Sequence, residues 1–433
     1  IWNQANYDLL TQLPNRRLFS DRLQQEIKKS QHDHSQFALL FIDLDRFKEV
    51  NDTLGHSHGD YLLIEASNRI QRHLKETDTV GRLGGDEFTV IIANLPDPSV
   101  MTLIAQRVLD ALAAPYDLEG EIVYLSASIG ITVFPEDATS SAELLKNADQ
   151  AMYEAKKNGR NRFSFFTPMM QAMAQARMRM TRDLRNALGM HQFSVYFQPI
   201  VDLATQRIHK AEALIRWQHP EHGFISPAEF IPLAEETGLI HEIGDWVFHQ
   251  SAQLVKRCLP LTNHDFQVSV NKSPVQFHDR AHSHQDWMEY LSGLGLSGHN
   301  IVVEITEGLL LNASSGIADK LLHFRDAGMQ VAIDDFGTGY SSLSYLKKFD
   351  IDYLKIDQSF VRNLSDEGED LALCEAIVTM AHKLDLRVIA EGVETTEQRD
   401  MLAQIGCDYG QGYLFSKPLP AEEFMQLLER ASP

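Results

Sequence analysis

Apolar and polar residues follow two different rhythms along this chain, and the rhythm changes near residue 189. In the first stretch, Phe37 to Asp43 (FALLFID) is an apolar run of strand length. After Gly59, Leu62, Leu63, Ala66 and Ile70 recur at helical spacing. Thr79 to Leu83 and Phe88 to Ile92 flank Gly84-Gly85-Asp86-Glu87, the pattern of a β-hairpin. Val123 to Val133 (VYLSASIGITV) predicts a further strand, and Ala142 to Lys157 a helix. Together these predict a compact α/β domain with a mainly antiparallel sheet over residues 1–166. Residues 167–188 are rich in Met, Ala, Gln and Arg, all good helix formers, and predict a linking helix with Met as gap filler.

In residues 189–433 short β-branched or apolar runs alternate with amphipathic helical patterns, and several of the runs end in a polar residue. Ile208 to Glu212 ends in a carboxylate, Phe266 to Asn271 in an amide, Ile301 to Glu304 in Glu and Val331 to Asp335 in paired Asp. Tyr353 to Lys355 reaches a lysine, and Val388 to Glu391 another Glu. Sustained strand–helix alternation predicts a (β/α)8 barrel, whose chemistry sits at the C-terminal strand ends.

One acid after a strand is ordinarily a helix cap or a solvated turn. A series of them is different, because a barrel gathers its strand ends at one mouth. Five carboxylates crowded together repel unless cations neutralise them. Donors that are all oxygen suit Mg²⁺ or Mn²⁺ rather than zinc. Paired Asp334 and Asp335 are suited to bridging two ions about 4 Å apart, the arrangement used for in-line displacement at a phosphoester.

Composition narrows the picture. The chain has 433 residues, 44% hydrophobic and 23% charged, as expected of a globular protein of two or three domains. A net charge of −21 repels phosphate backbones and argues against general nucleic-acid binding, so an anionic substrate needs metal ions or focused basic residues. Cys258, Cys374 and Cys407 are odd in number and scattered, which points to a reducing, cytoplasmic compartment without disulfides or a cysteine metal site. No apolar stretch has the length of a membrane span. The chain begins at Ile1 rather than Met, so upstream sequence is expected, where a membrane anchor or sensor would lie.

The strings KAEALIRWQHP, IPLAEETGLI, VEITE, IDDFGTGYSS, YLKID, AEGVE and QGYLFSKP closely resemble the EAL family of cyclic di-GMP phosphodiesterases, from roughly residue 180 to 430. The resemblance implies a (β/α)8 barrel with one reversed strand, hydrolysis of cyclic di-GMP to linear pGpG, and two Mg²⁺ or Mn²⁺ ions. It assigns Glu212, Asn271, Glu304 and Asp334 to one metal, and Asp334, Asp335 and Glu391 to the second. Lys355 would orient or help deprotonate the attacking water, and Gln411 would position that water or the nearby shell. Arg216 and Gln198 would contact a phosphate and a guanine, with Leu214 beside them. Gly337, Thr338 and Gly339 resemble the family's loop that couples dimer contacts to metal binding, and Glu307 the acid that steadies it.

The strings YDLLTQLPNRR, FIDLDRFKEVND, GHSHGD, RLGGDEF and AKKNGRNRF resemble the GGDEF family of diguanylate cyclases over about residues 5 to 166. Glycine at 84 and 85 lets the turn lie against a phosphate without a Cβ in the way. By resemblance, Asp43, the Leu44 carbonyl and Asp86 bind Mg²⁺ with GTP, and Glu87 belongs to the signature. Asn51 and Asp60 would read guanine, while Lys48, Lys156 and Arg160 would hold phosphates. Joining two GTP molecules implies a homodimer. Where the family's product-inhibition site has Arg-x-x-Asp, this chain has Lys75 and Asp78. Lysine keeps the charge but lacks the planar fork, which leaves product feedback open, with Arg72 a candidate substitute.

These readings favour a bifunctional cyclic di-GMP enzyme with hydrolysis its firmer half. The alternatives are a GGDEF domain that only binds GTP and activates the hydrolase, a non-catalytic cyclic di-GMP receptor, or some other barrel enzyme.

Overall fold

The computed structural model describes residues 5–95, 98–118, 120–262, 266–278, 284–311, 315–337, 346, 349–365 and 368–431. The chain forms two units, Ile1–Arg179 and Met180–Pro433, and the division falls within the helix Pro168–Ala187. No helix among the described residues is long and apolar enough to cross a membrane.

The first unit is built on strands β1 (Phe37–Asp45), β2 (Thr79–Gly84), β3 (Glu87–Ile92), β4 (Tyr116–Leu118), β5 (Glu121–Val123), β6 (Ser126–Phe134) and β7 (Arg162–Phe165). The main sheet has the order β2-β3-β1-β6-β7. β1 is buried along its whole length and pairs antiparallel with both β3 and β6. Its alternate residues feed two cores, one containing Leu40, Ile42 and Leu62, the other Leu39, Phe41 and Phe19. That is why FALLFID reads as a continuous apolar run: both faces are covered. The single strand expected from Val123 to Val133 is instead two. β5 ends at Val123 in a separate ribbon with β4, and β6 begins at Ser126, so the chain changes sheets between them.

The second unit contains β8 (Phe193–Asp202), β9 (Ile208–His219), β10 (Gly223–Ile225), β11 (Gln267–Asn271), β12 (Ile301–Thr306), β13 (Gln330–Phe336), β14 (Tyr353–Ile356), β15 (Arg387–Ala390), β16 (Tyr409–Gly410) and β17 (Leu419–Pro420). Eight of these close a barrel in the order β9-β11-β12-β13-β14-β15-β16-β8, with β8 returning to β9. β8 is antiparallel to both of its barrel neighbours, whereas the other barrel contacts are parallel. The architecture is thus a (β/α)8 barrel with one reversed strand, preceded in sequence by the α/β unit.

Alternation along each strand puts every second side chain inside the barrel. One interior layer is apolar, built from Ile200, Val302, Ala332, Tyr353, Ile389 and Tyr409. Beside it, Lys210 hydrogen-bonds Gln267 and, at 2.7 Å, the Tyr353 hydroxyl. One pleat further toward the C-terminal ends, the same strands present Glu212, Asn271, Glu304, Asp334 and Lys355. The outer faces pack on the helices through a large shared core.

Candidate active site

Lys355 sits at the centre of the mouth with no solvent exposure. Its Nζ lies 2.7 Å from Glu391 Oε1, 2.8 Å from Glu304 Oε2, 3.0 Å from Asp334 Oδ1 and 3.5 Å from Glu212 Oε2. Asn271 Nδ2 donates to Glu212 Oε1 at 2.7 Å, and Gln411 Nε2 to Glu212 Oε2 at 2.7 Å. Gln411 also donates to Gln198 Oε1 at 3.0 Å, and Gln198 in turn to the Ser416 carbonyl at 3.1 Å. Residues spread from position 198 to 411 therefore form one connected cluster.

Strand alternation would send Asp334 and Asp335 to opposite faces. Here the β13–β14 register shifts between Ile333 and Phe336, and Asp335 has φ of 55°. This bulge with a left-handed residue brings both aspartates toward the mouth. The ligand oxygens of Asp334, Asp335 and Glu391 then lie within 4.8 Å of one another, as do those of Glu212, Glu304 and Asp334. Asp334 belongs to both groups.

The charges are unbalanced without added cations. Burial would lower the Lys355 pKa, but Glu212, Glu304, Glu391 and Asp334 outweigh it and hold the ammonium well above its ordinary value. Burial pushes Glu304 well above the usual carboxylate range, helped by Glu212 and Asp334. Burial also raises Glu391, with Asp334 and Glu212 adding, to about 7. For Glu212 burial acts the same way, yet Lys355 and the amides of Gln411 and Asn271 overcome it and keep the carboxyl below its usual value. One lysine cannot neutralise four acids, so burial and mutual repulsion push Glu304 and Glu391 upward, an imbalance that added cations would relieve. The donor set fits divalent cations: it is all oxygen, it falls into two groups sharing Asp334, and Glu304 Oε1 is buried without a hydrogen-bond partner.

Arg216 is half-buried at the rim, its guanidinium carbon 5.6 Å from the centre of the Tyr196 ring. Leu214 and Arg216 line a cavity of about 300 Å³ that also touches Asn271 and Glu304. Glu307 accepts a 3.4 Å hydrogen bond from the Gly337 amide. Thr338 and Gly339 lie outside the described residues. The sequence reading did not single out Asp357, which raises the Asp335 pKa after burial and Asp334, nor Ser273, which donates to Glu235 at 2.6 Å beside Asn271. Asp357 closes the string YLKID, whereas Ser273 lies in none of the motif strings, and nothing in the spacing set either apart.

In the first unit, Asp43 and Glu87 face each other across β1 and β3. The hairpin turn uses Gly85 at φ of 52°, a conformation that costs glycine little. The Leu44 amide donates to the Asp86 carbonyl at 3.4 Å, which ties the β1 end to the hairpin. Lys156 Nζ lies 2.7 Å from Asp43 Oδ1. Burial, with Asp86 and Asp45 adding and Lys156 opposing, raises Asp43 to about 6. Glu87 is raised by burial and by Asp149. Asn51 packs over the bare Cα of Gly59, where a Cβ would stand 1.9 Å from Asn51 Oδ1, and Asp60 follows directly. Lys48 and Arg160 are exposed. Asp78 accepts from the Lys75 amide at 2.9 Å and the Ala93 amide at 3.2 Å.

Comparison with known proteins gives two family matches: residues 181–418 to the EAL domain and residues 5–162 to "Diguanylate cyclase, GGDEF domain". A relative in Pseudomonas aeruginosa described as "Bifunctional diguanylate cyclase/cyclic di-GMP phosphodiesterase MucR" is 41% identical over 97% of this chain and 61% of its own length. The "Cyclic di-GMP phosphodiesterase NbdA" of the same organism is 38% identical over 98% of this chain and 54% of its own. The chain thus spans little more than half the length of these curated relatives. A solved structure described as "PaMucR Phosphodiesterase, c-di-GMP complex" is 38% identical, with a TM-score of 0.53, over 57% of this chain and 99% of its own.

Proposed function

The chain belongs to the EAL domain family, with a GGDEF domain ahead of it, and from that premise we propose that it hydrolyses cyclic di-GMP to linear pGpG. The observation that carries this reading is the pair of carboxylate groups sharing Asp334 around Lys355 at one barrel mouth. The described ligand set has no gap where the family motif calls for an acid or amide, which favours catalysis over a receptor. The curated relatives whose descriptions carry cyclic di-GMP activities support the substrate.

Glu212, Asn271, Glu304 and Asp334 would hold one divalent cation, and Asp334, Asp335 and Glu391 the other. Such ions, when bound, activate water and neutralise phosphoryl charge for in-line displacement. The chain's own residues fix the geometry. Asn271 and Gln411 hold both oxygens of Glu212, which leaves that carboxylate one orientation. Lys355, kept as an ammonium by its acids, donates protons in hydrogen bonds and so orients an attacking oxygen. Arg216 at the rim is suited to the substrate's other phosphate.

The GGDEF domain, on this proposal, binds GTP with Mg²⁺ at Asp43, Leu44 and Asp86 and condenses two GTP molecules as a homodimer. Product analysis with Mg²⁺ and GTP alone, cyclic di-GMP alone, and both tests the two halves together. pGpG from cyclic di-GMP, lost in Glu212→Ala, supports the hydrolase, and unchanged turnover in that variant defeats the site. Cyclic di-GMP from GTP supports the cyclase, whereas faster hydrolysis without GTP loss makes the domain a regulator.

A further inference from the structure

β9 does not stop at the barrel rim. Its contacts with β11 end at Ala213, but it continues to His219 as a ribbon with β8 and then β10. On one face of that ribbon the pairs run Gln198–Glu212, Tyr196–Leu214 and Ser194–Arg216, and β10 adds Phe224 opposite Gln218. Side chains on one face recur every about 7 Å. Tyr196 therefore stands one pleat from the carboxylate cluster, a distance that a ribose bridges.

The Phe224 ring is 63% exposed. It meets the Tyr196 ring edge-to-face at 6.5 Å and 84°, and the Arg216 guanidinium covers Tyr196. A large apolar ring left mostly in water, on the face that leads away from a phosphodiester site, is the usual form of a base platform. Arginine beside it supplies a cation for the intervening phosphate and a planar group for stacking.

Resting on the hydrolase reading, we propose that Tyr196 and Phe224 form a stacking subsite for one of the two purine bases of the cyclic dinucleotide, with Arg216 holding the phosphate between that base and the carboxylates. Phe224 is then a specificity-determining residue: it selects a substrate with a base over a bare phosphodiester.

The test uses Phe224→Ala and Phe224→Trp in the full chain with Mn²⁺, on cyclic di-GMP and on bis(p-nitrophenyl) phosphate, which has no purine. For Phe224→Ala the KM for cyclic di-GMP rises about tenfold, the size expected for one lost stacked base, with kcat nearly kept. The preference for cyclic di-GMP over the model diester falls by a similar factor, and Phe224→Trp restores both. An unchanged KM in Phe224→Ala overturns the subsite while the hydrolase stands. Equal losses on the two substrates make Phe224 a packing residue and also overturn it. If the wild-type chain turns over the model diester but not cyclic di-GMP, the hydrolase reading itself fails.

Discussion

Lys355 Nζ lies 2.8 Å from Glu304 Oε2 with neither side chain exposed to solvent. Breaking a buried pair by removing one partner leaves an uncompensated charge and costs roughly 3–5 kcal/mol. Lys355→Met is expected to lose phosphodiesterase activity and to lower the thermal midpoint of the metal-free chain. Mn²⁺ should restore more midpoint in this variant than in wild type, because the cations take over the lost neutralisation. Scanning calorimetry with and without Mn²⁺ checks this, and a midpoint equal to wild type without metal would contradict it.

Asp335 holds a left-handed backbone within the β13–β14 bulge. Asparagine tolerates that conformation, whereas most residues pay about 1–2 kcal/mol there. Asp335→Asn should therefore keep wild-type stability while losing at least about 100-fold in kcat/KM, since even outer-shell changes at metal sites cost 10–100-fold. Asp335→Ala should lose stability as well. Equal activity in Asp335→Asn would remove Asp335 from the site.

Asp78 is committed to two backbone amides, those of Lys75 and Ala93. A carboxylate so engaged, beside a lysine in place of arginine, is poorly placed to grip a cyclic dinucleotide. We expect no inhibition of GTP turnover by micromolar cyclic di-GMP in a Glu212→Ala background, where the product persists. Asp78→Ala should cost about 1–3 kcal/mol through the two amides left unpaired. Strong product inhibition relieved by Asp78→Ala would contradict this.

The raised pKa of Asp43 gives a signed pH dependence. The carboxyl moves from 3.8 to about 6 in the fold, so the folded state favours the protonated form. Its contribution to stability is complete below the unfolded value and is lost as pH rises through about 6. The midpoint of metal-free wild type relative to Asp43→Asn should fall between pH 4 and pH 6, and saturating Mg²⁺ with GTP should reverse the sign. A pH-independent difference would show that Asp43 is not perturbed.

Much of this was legible because the two units keep strict periodicities. Glu212, Asn271, Glu304 and Lys355 each follow an apolar residue near the end of a run, and the barrel converts that local signal into proximity, although β9 runs on past Glu212 to His219. Other features depend on partners that local pattern does not reveal. The break between Val123 and Ser126 exists because Val123, the first residue of the run, pairs with Tyr116 in a separate ribbon, while the rest of the run joins the main sheet. The turn of Asp335 toward Asp334 depends on a bulge set by pairing with β14. The network of Lys210, Gln267 and Tyr353 reads in sequence as ordinary polar substitutions, and the Phe224 platform as one more core aromatic.

Calorimetric titration of Mn²⁺ into the Asp43→Ala, Asp86→Ala double variant tests the central claim most directly, because it isolates the barrel mouth. Two ions per chain are expected, with uptake at both positions weakened together by Asp334→Asn, the shared residue. No uptake, or one ion indifferent to Asp334, would contradict the account.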